Sequence, residues 1–79
     1  MRLIKIYKDN CKPCDRLSLL LSHYKVKPIE LHIFDNGVAK QYKASSVPVL
    51  ILEDDNGNEI DRVVGYKPLE VIKLMEQYK

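Results

Sequence analysis

Cys11-Lys12-Pro13-Cys14 holds the only two cysteines of the chain, three residues apart. Thiols at that spacing can close into a disulfide and reopen, or hold a metal together with further ligands. On a helix, Cα atoms three residues apart lie about 5 Å from one another, inside the roughly 4.4–6.8 Å that a disulfide spans. At a helix start, free N–H groups and the positive dipole end favour a thiolate over a thiol. Lys8 and Lys12 add positive charge nearby, and such a setting holds a cysteine pKa below that of the free residue. Cys11 is therefore expected to be the exposed, attacking sulfur and Cys14, one turn in, the more buried resolving thiol. Pro13 costs no hydrogen bond in a first turn, and its fixed φ stiffens the loop between the sulfurs.

His23 and His32 complete a formal two-cysteine, two-histidine set. Their spacing is wrong for a zinc finger, which wants about twelve residues between the pairs and about three to five between the histidines. A purely structural disulfide is also a poor reading, because a loop of two intervening residues constrains little of the unfolded chain. A C-x-x-C beside a βαβ pattern reads as redox chemistry, with no metal and no cofactor beyond the Cys11–Cys14 pair. The alternative is a metal-binding or non-catalytic protein-binding module on the same fold.

The elements that must position the pair are legible in outline. Arg2 to Tyr7 mixes β-branched and polar residues as a strand does, and Asp9-Asn10 ends it. From Pro13 a helix is expected, with Leu17, Leu20, Leu21 and Tyr24 as its apolar stripe. Lys25 and Lys27 suit its C-terminal end, and Pro28 forbids continuation. Ile29 to Phe34 alternates as a second strand, and Asp35 is the expected N-cap of a short helix carrying Val38, Ala39 and Tyr42. Val47 to Leu52 reads as a third strand buried on both faces. Asn56-Gly57 marks a hairpin turn into a fourth strand, Glu59 to Val64. After Gly65, Pro68 opens a last helix with Val71, Leu74, Met75 and Tyr78 at helical spacing. The order βαβαββα predicts an α/β fold: a four-stranded mixed sheet with helices on both faces, its first two strands parallel and its last two antiparallel. No repeat or linker divides residues 1–79, so one domain is expected.

On these residues the chain resembles the thioredoxin-like redoxins in their short, glutaredoxin-sized form. The resemblance runs through Cys11-Lys12-Pro13-Cys14, Ser46-Val47-Pro48 and the stretch Gly57 to Gly65. It implies that the Val47–Pro48 bond is cis and faces the cysteines, and that the Val47 backbone pairs with an extended substrate chain. It also implies that Gly65 leaves space for that docking groove and that Tyr66 borders it. Lys8, Lys12 and Pro13 would tune the Cys11 thiolate. Four departures stand out: Asn10 replaces the thioredoxin tryptophan, Lys12 the glycine between the cysteines, and Lys5 the buried first-strand acid. The fourth is Val64-Gly65-Tyr66-Lys67, standing where glutaredoxins carry their glutathione-binding run. The resemblance therefore implies a disulfide-containing protein substrate and reduction by a thioredoxin-reductase-type flavoenzyme rather than by glutathione. Gly65-Tyr66-Lys67-Pro68 is similar to the Gly-Phe-Arg-Pro of small redoxins that feed ribonucleotide reductase, which makes that enzyme a candidate recipient.

Composition narrows the remaining classes. Residues 1–27 carry seven basic side chains against two acidic ones, and residues 28–79 carry six against nine. The net charge of +2 is too small to imply nucleic-acid binding. No apolar run is long enough for a membrane helix, and Lys5 interrupts the first residues before a signal-peptide core can form. A cytoplasmic monomer, free of nucleic acid and membrane, is the expectation.

Overall fold

The computed structural model describes residues 1–78. Its elements are β1 (Arg2–Tyr7), α1 (Lys12–Ser22), β2 (Ile29–His32), α2 (Val38–Tyr42), β3 (Val49–Glu53), β4 (Glu59–Val64) and α3 (Pro68–Gln77). The sheet order is β2-β1-β3-β4. β1 pairs with β2 in parallel, and the β1–β3 and β3–β4 pairs are antiparallel. The expected βαβαββα order and mixed sheet are both present.

Alternation along the two central strands separates the core into two layers. Leu3, Leu50, Leu52 and Val63 face one side and pack against Leu17 and Leu21 of α1 and Val71, Leu74 and Met75 of α3. Ile4, Ile6, Val49 and Ile51 face the other side and pack under Val38 and Ala44. β3 is buried along its whole length, as a strand covered on both faces must be. Each fully buried Leu or Ile contributes roughly 1.5–3 kcal/mol through area removed from water. The central strands are therefore the rigid frame, and the chain segments leaving their ends carry the cysteines and Pro48.

The β3–β4 hairpin closes through Asp54, whose Oδ1 accepts from the N–H groups of Asn56 and Asn58, each at 2.9 Å. Gly57 supplies the positive φ, +84°. The N–H hydrogen bonds lower the Asp54 pKa. Beside the turn, Arg62 grips both oxygens of Glu59 at 2.6 and 2.9 Å, which lowers the Glu59 pKa and raises that of Arg62.

Several local expectations fail for identifiable reasons. α1 begins at Lys12 and ends at Ser22, so Tyr24 falls outside it and is exposed rather than part of the apolar stripe. Lys25 takes a left-handed φ of +55° beyond the helix end. β2 stops at His32, before Ile33 and Phe34. α2 is capped by Gly37, also left-handed, without a side-chain cap, while Asp35 offers only its carbonyl to the N–H of Val38 at 3.2 Å. β3 starts at Val49, after Pro48, which has no N–H for a ladder, and the Val47–Pro48 bond is cis.

Candidate active site

Cys11 and Cys14 are joined as a disulfide, with Cα atoms 5.2 Å apart. Cys11 is the N-cap of α1, with extended backbone angles, and its Sγ accepts a hydrogen bond from the Cys14 N–H at 3.1 Å. Its carbonyl takes the Asp15 N–H at 3.1 Å, so the chain turns into the helix at this residue. One sulfur thus occupies the position that a capping oxygen usually fills, where a negative charge is most stabilised. Exposure differs from expectation: Cys11 is 6 % exposed and Cys14 2 %. Cys11 is the more open of the two but not an open surface sulfur, because the N-cap geometry folds its side chain back over the first turn.

Cys11 forms part of the wall of a groove of about 670 Å³. Lys8, Asn10, Lys12 and Pro13 border it from the β1–α1 segment, and Ile33 and Phe34 from the end of β2. Ser45, Ser46 and Val47 complete it from the segment ahead of the cis bond. Asn10 holds φ +53°, a turn that brings the chain from β1 into the helix start. His32 braces the opposite wall. Its Nδ1 accepts from the Phe34 N–H at 3.2 Å, and its Nε2 lies 3.3 Å from Asp9 Oδ2. The imidazole also meets the Tyr7 ring edge-on, with centroids 5.2 Å apart.

On the inner side of α1 lies a cation. Lys5 is 4 % exposed and projects from β1 on the α1 side of the sheet. Its Nζ donates to Ser18 Oγ and, at 3.0 Å, to Glu30 Oε1 on the neighbouring strand, where Glu30 is its register partner. Ser18 Oγ in turn donates to the Cys14 carbonyl at 3.2 Å. Buried lysines persist only when paired, and this one is tied through a hydroxyl to the backbone of the inner cysteine.

The expected site residues divide between the groove and its supports. Lys8, Cys11, Lys12, Pro13 and Val47 border the groove. Pro48 is fully buried and accepts the Gly65 N–H on its carbonyl at 2.7 Å. Gly65 holds φ +85°, and an added Cβ there would meet no atom within 4 Å. Within the chain itself its requirement is conformational, and the space beside it is open. Tyr66 leans on the α1–α3 core instead of bordering the groove. Sequence reasoning missed Ile33 and Phe34 as groove residues, because period-two alternation placed both in a strand. His32, which entered the sequence reading only through the rejected zinc spacing, anchors the Phe34 backbone.

Among the described residues, no three potential metal ligands converge, and no helix is long and apolar enough to cross a membrane. No family model matches the chain. It is 35 % identical over 80 aligned positions to the SPbeta prophage-derived thioredoxin-like protein YosR of Bacillus subtilis, covering all of both chains. It is 36 % identical to a thioredoxin of Chlamydia caviae, over 96 % of this chain and 80 % of that one. Among solved structures, Plasmodium falciparum thioredoxin superimposes with a TM-score of 0.81 over 99 % of this chain and 85 % of that one, at 18 % identity. Thioredoxin 1 of Thermosipho africanus does so with a TM-score of 0.76 over 99 % and 93 %, at 21 % identity.

Proposed function

The chain belongs to the thioredoxin family and is a thiol–disulfide oxidoreductase, and from that premise we propose that Cys11 is its nucleophile and Cys14 its resolving thiol in the reduction of protein disulfides. The observation that carries the division of roles is the Cys11 sulfur at the N-cap of α1, accepting the Cys14 N–H. In the dithiol form the same N–H and the helix dipole stabilise a thiolate on Cys11.

The exchange runs in two steps. The Cys11 thiolate attacks one sulfur of the substrate disulfide, forming a mixed disulfide, and the displaced substrate thiolate takes up a proton. Cys14 then gives up its proton and attacks Cys11 Sγ, forming the intramolecular disulfide and releasing the second substrate thiolate. Two electrons pass from the protein to the substrate, and both reside in the sulfurs, so the step itself draws on no bound cofactor. A thioredoxin-reductase-type flavoenzyme returns them. In this reading Val47 offers its backbone to the substrate chain, and the Pro48–Gly65 hydrogen bond fixes the segment that presents it. Lys8, Lys12 and Pro13 tune the thiolate, and residues 1–79 act as one domain. Ribonucleotide reductase is one recipient proposed from the Gly65–Pro68 segment alone.

Mixing pre-reduced protein with a disulfide peptide tests the assignment. Cys11→Ser should show no substrate reduction. Cys14→Ser should stop at a mixed disulfide through Cys11, visible by mass spectrometry. Full activity in Cys11→Ser contradicts the reading.

A further inference from the structure

We propose that the groove beside Cys11 selects protein disulfides set in an acidic segment that also carries a large apolar side chain, with Lys8 and Lys12 reading the charge and Phe34 the apolar group. The proposal rests on Cys11 being the attacking sulfur and adds the class of substrate it meets. Lys8 and Lys12 both border the groove, and no acidic residue does. Among the described residues, neither lysine lies within ion-pair distance of a carboxylate. Of the acids nearest in sequence, Asp9 turns its carboxylate to His32 Nε2 at 3.3 Å, and Asp15 and Asp35 are exposed and do not line the groove.

The apolar half of the argument is Phe34, the only phenylalanine of the chain. It is 79 % exposed and contributes nothing to either core layer. Its backbone is tethered by the N–H bond to His32 Nδ1, and its ring stands 5.7 Å from the imidazole. With Ile33, Val47 and Pro13 it supplies the apolar part of the groove lining. An exposed aromatic on a tethered backbone, in one groove with two cations, is complementary to an extended segment with carboxylates near the disulfide and a Leu-like or aromatic residue close by. Such charges steer encounter and reject like-charged partners. The occupant is a protein segment, because glutathione brings carboxylates but no large apolar side chain.

The test uses pre-reduced protein and three peptides of one length, each with a single internal disulfide: acidic with Leu, basic with Leu, and acidic with Ser in place of Leu. At low ionic strength the acidic Leu peptide should react about tenfold faster than the basic one, as expected for two exposed attractions replacing two repulsions, and salt should shrink that ratio. In Lys8→Gln/Lys12→Gln the ratio should fall to near one. A change in Cys11 ionisation multiplies both rates alike, so the ratio isolates recognition from reactivity. Phe34→Ser should erase the preference for Leu over Ser and leave the charge ratio in place. Oxidised glutathione should react more slowly than the acidic Leu peptide. Equal rates for all peptides, a charge ratio that survives the loss of both lysines, or faster reaction of glutathione overturns the proposal alone. Reduction of none of the peptides overturns the reading of Cys11 beneath it.

Discussion

The two sulfurs are bonded to each other yet belong to different environments. Cys11 borders a groove with lysines and an apolar wall, and its sulfur caps a helix. Cys14 is withdrawn from that groove, and behind it stands a chain of hydrogen bonds from its carbonyl through Ser18 to the buried Lys5. One sulfur is placed to meet another molecule, and the other is placed to meet only its neighbour. In the proposed exchange, attack and resolution are divided by position on one helical turn, without any difference in residue type.

The comparison breaks most completely at the sulfurs themselves. Cys11→Ser should remove both half-reactions, whereas Cys14→Ser should keep the first and accumulate the mixed disulfide, a contrast read by mass spectrometry. Next in size is Lys5→Glu, which sets a carboxylate beside Glu30 and under the helix. Even discounting for the exposure of Glu30, it should cost about 2 kcal/mol, seen as a lower denaturation midpoint, and should slow resolution by Cys14 more than attack by Cys11. Lys5→Met keeps the volume without the charge. It should leave stability within about 1 kcal/mol while lowering the reduction potential, because a cation near Cys14 favours its thiolate. A potential that does not move under Lys5→Met would confine Lys5 to a packing role.

On the groove side, Gly65→Ala meets no steric obstacle but must hold φ +85°. It should cost about 1–2 kcal/mol, a fall in melting temperature of several degrees for a domain of this size. The smallest effect lies at the hairpin, at the opposite end of β1 from the cysteines. The Asp54 and Glu59 pKa values are both lowered in the fold. Their contribution is complete above the ordinary carboxylate range and fades as pH drops through the lowered folded values. Acid titration of Glu59→Gln should show a correspondingly smaller loss of stability, a fraction of 1 kcal/mol for so exposed a pair. Redox rates at neutral pH should be untouched.

What could be read in the sequence was what is decided locally. Pro13 and Pro68 marked helix starts, Asn56-Gly57 a turn, and the apolar run through Leu52 a strand covered on both faces. The resemblance carried the cis bond before Pro48, which composition alone would not favour. What stayed hidden depends on neighbours distant in the chain. The antiparallel pairing of β1 with β3 has no local signature. Phe34 has the alternation of a strand residue but projects past the point where β1 can still pair. The resemblance set Lys5 at the place of a buried first-strand acid, but nothing in the sequence named Glu30 and Ser18 as the partners that let a cation stay buried there. Asp35 had the chemistry of a cap, yet Gly37 took that position because the chain needed a left-handed turn there.

The central claim is that Cys11 is ionised near neutral pH because of its place at the start of α1. Alkylation of the reduced protein with iodoacetamide across a pH series, with each cysteine quantified by peptide mass spectrometry, tests it directly. The account predicts that Cys11 reacts first, with a midpoint well below that of a free cysteine, while Cys14 stays slow throughout. A Cys11 that titrates like an unperturbed thiol, or a Cys14 that reacts before it, contradicts the account.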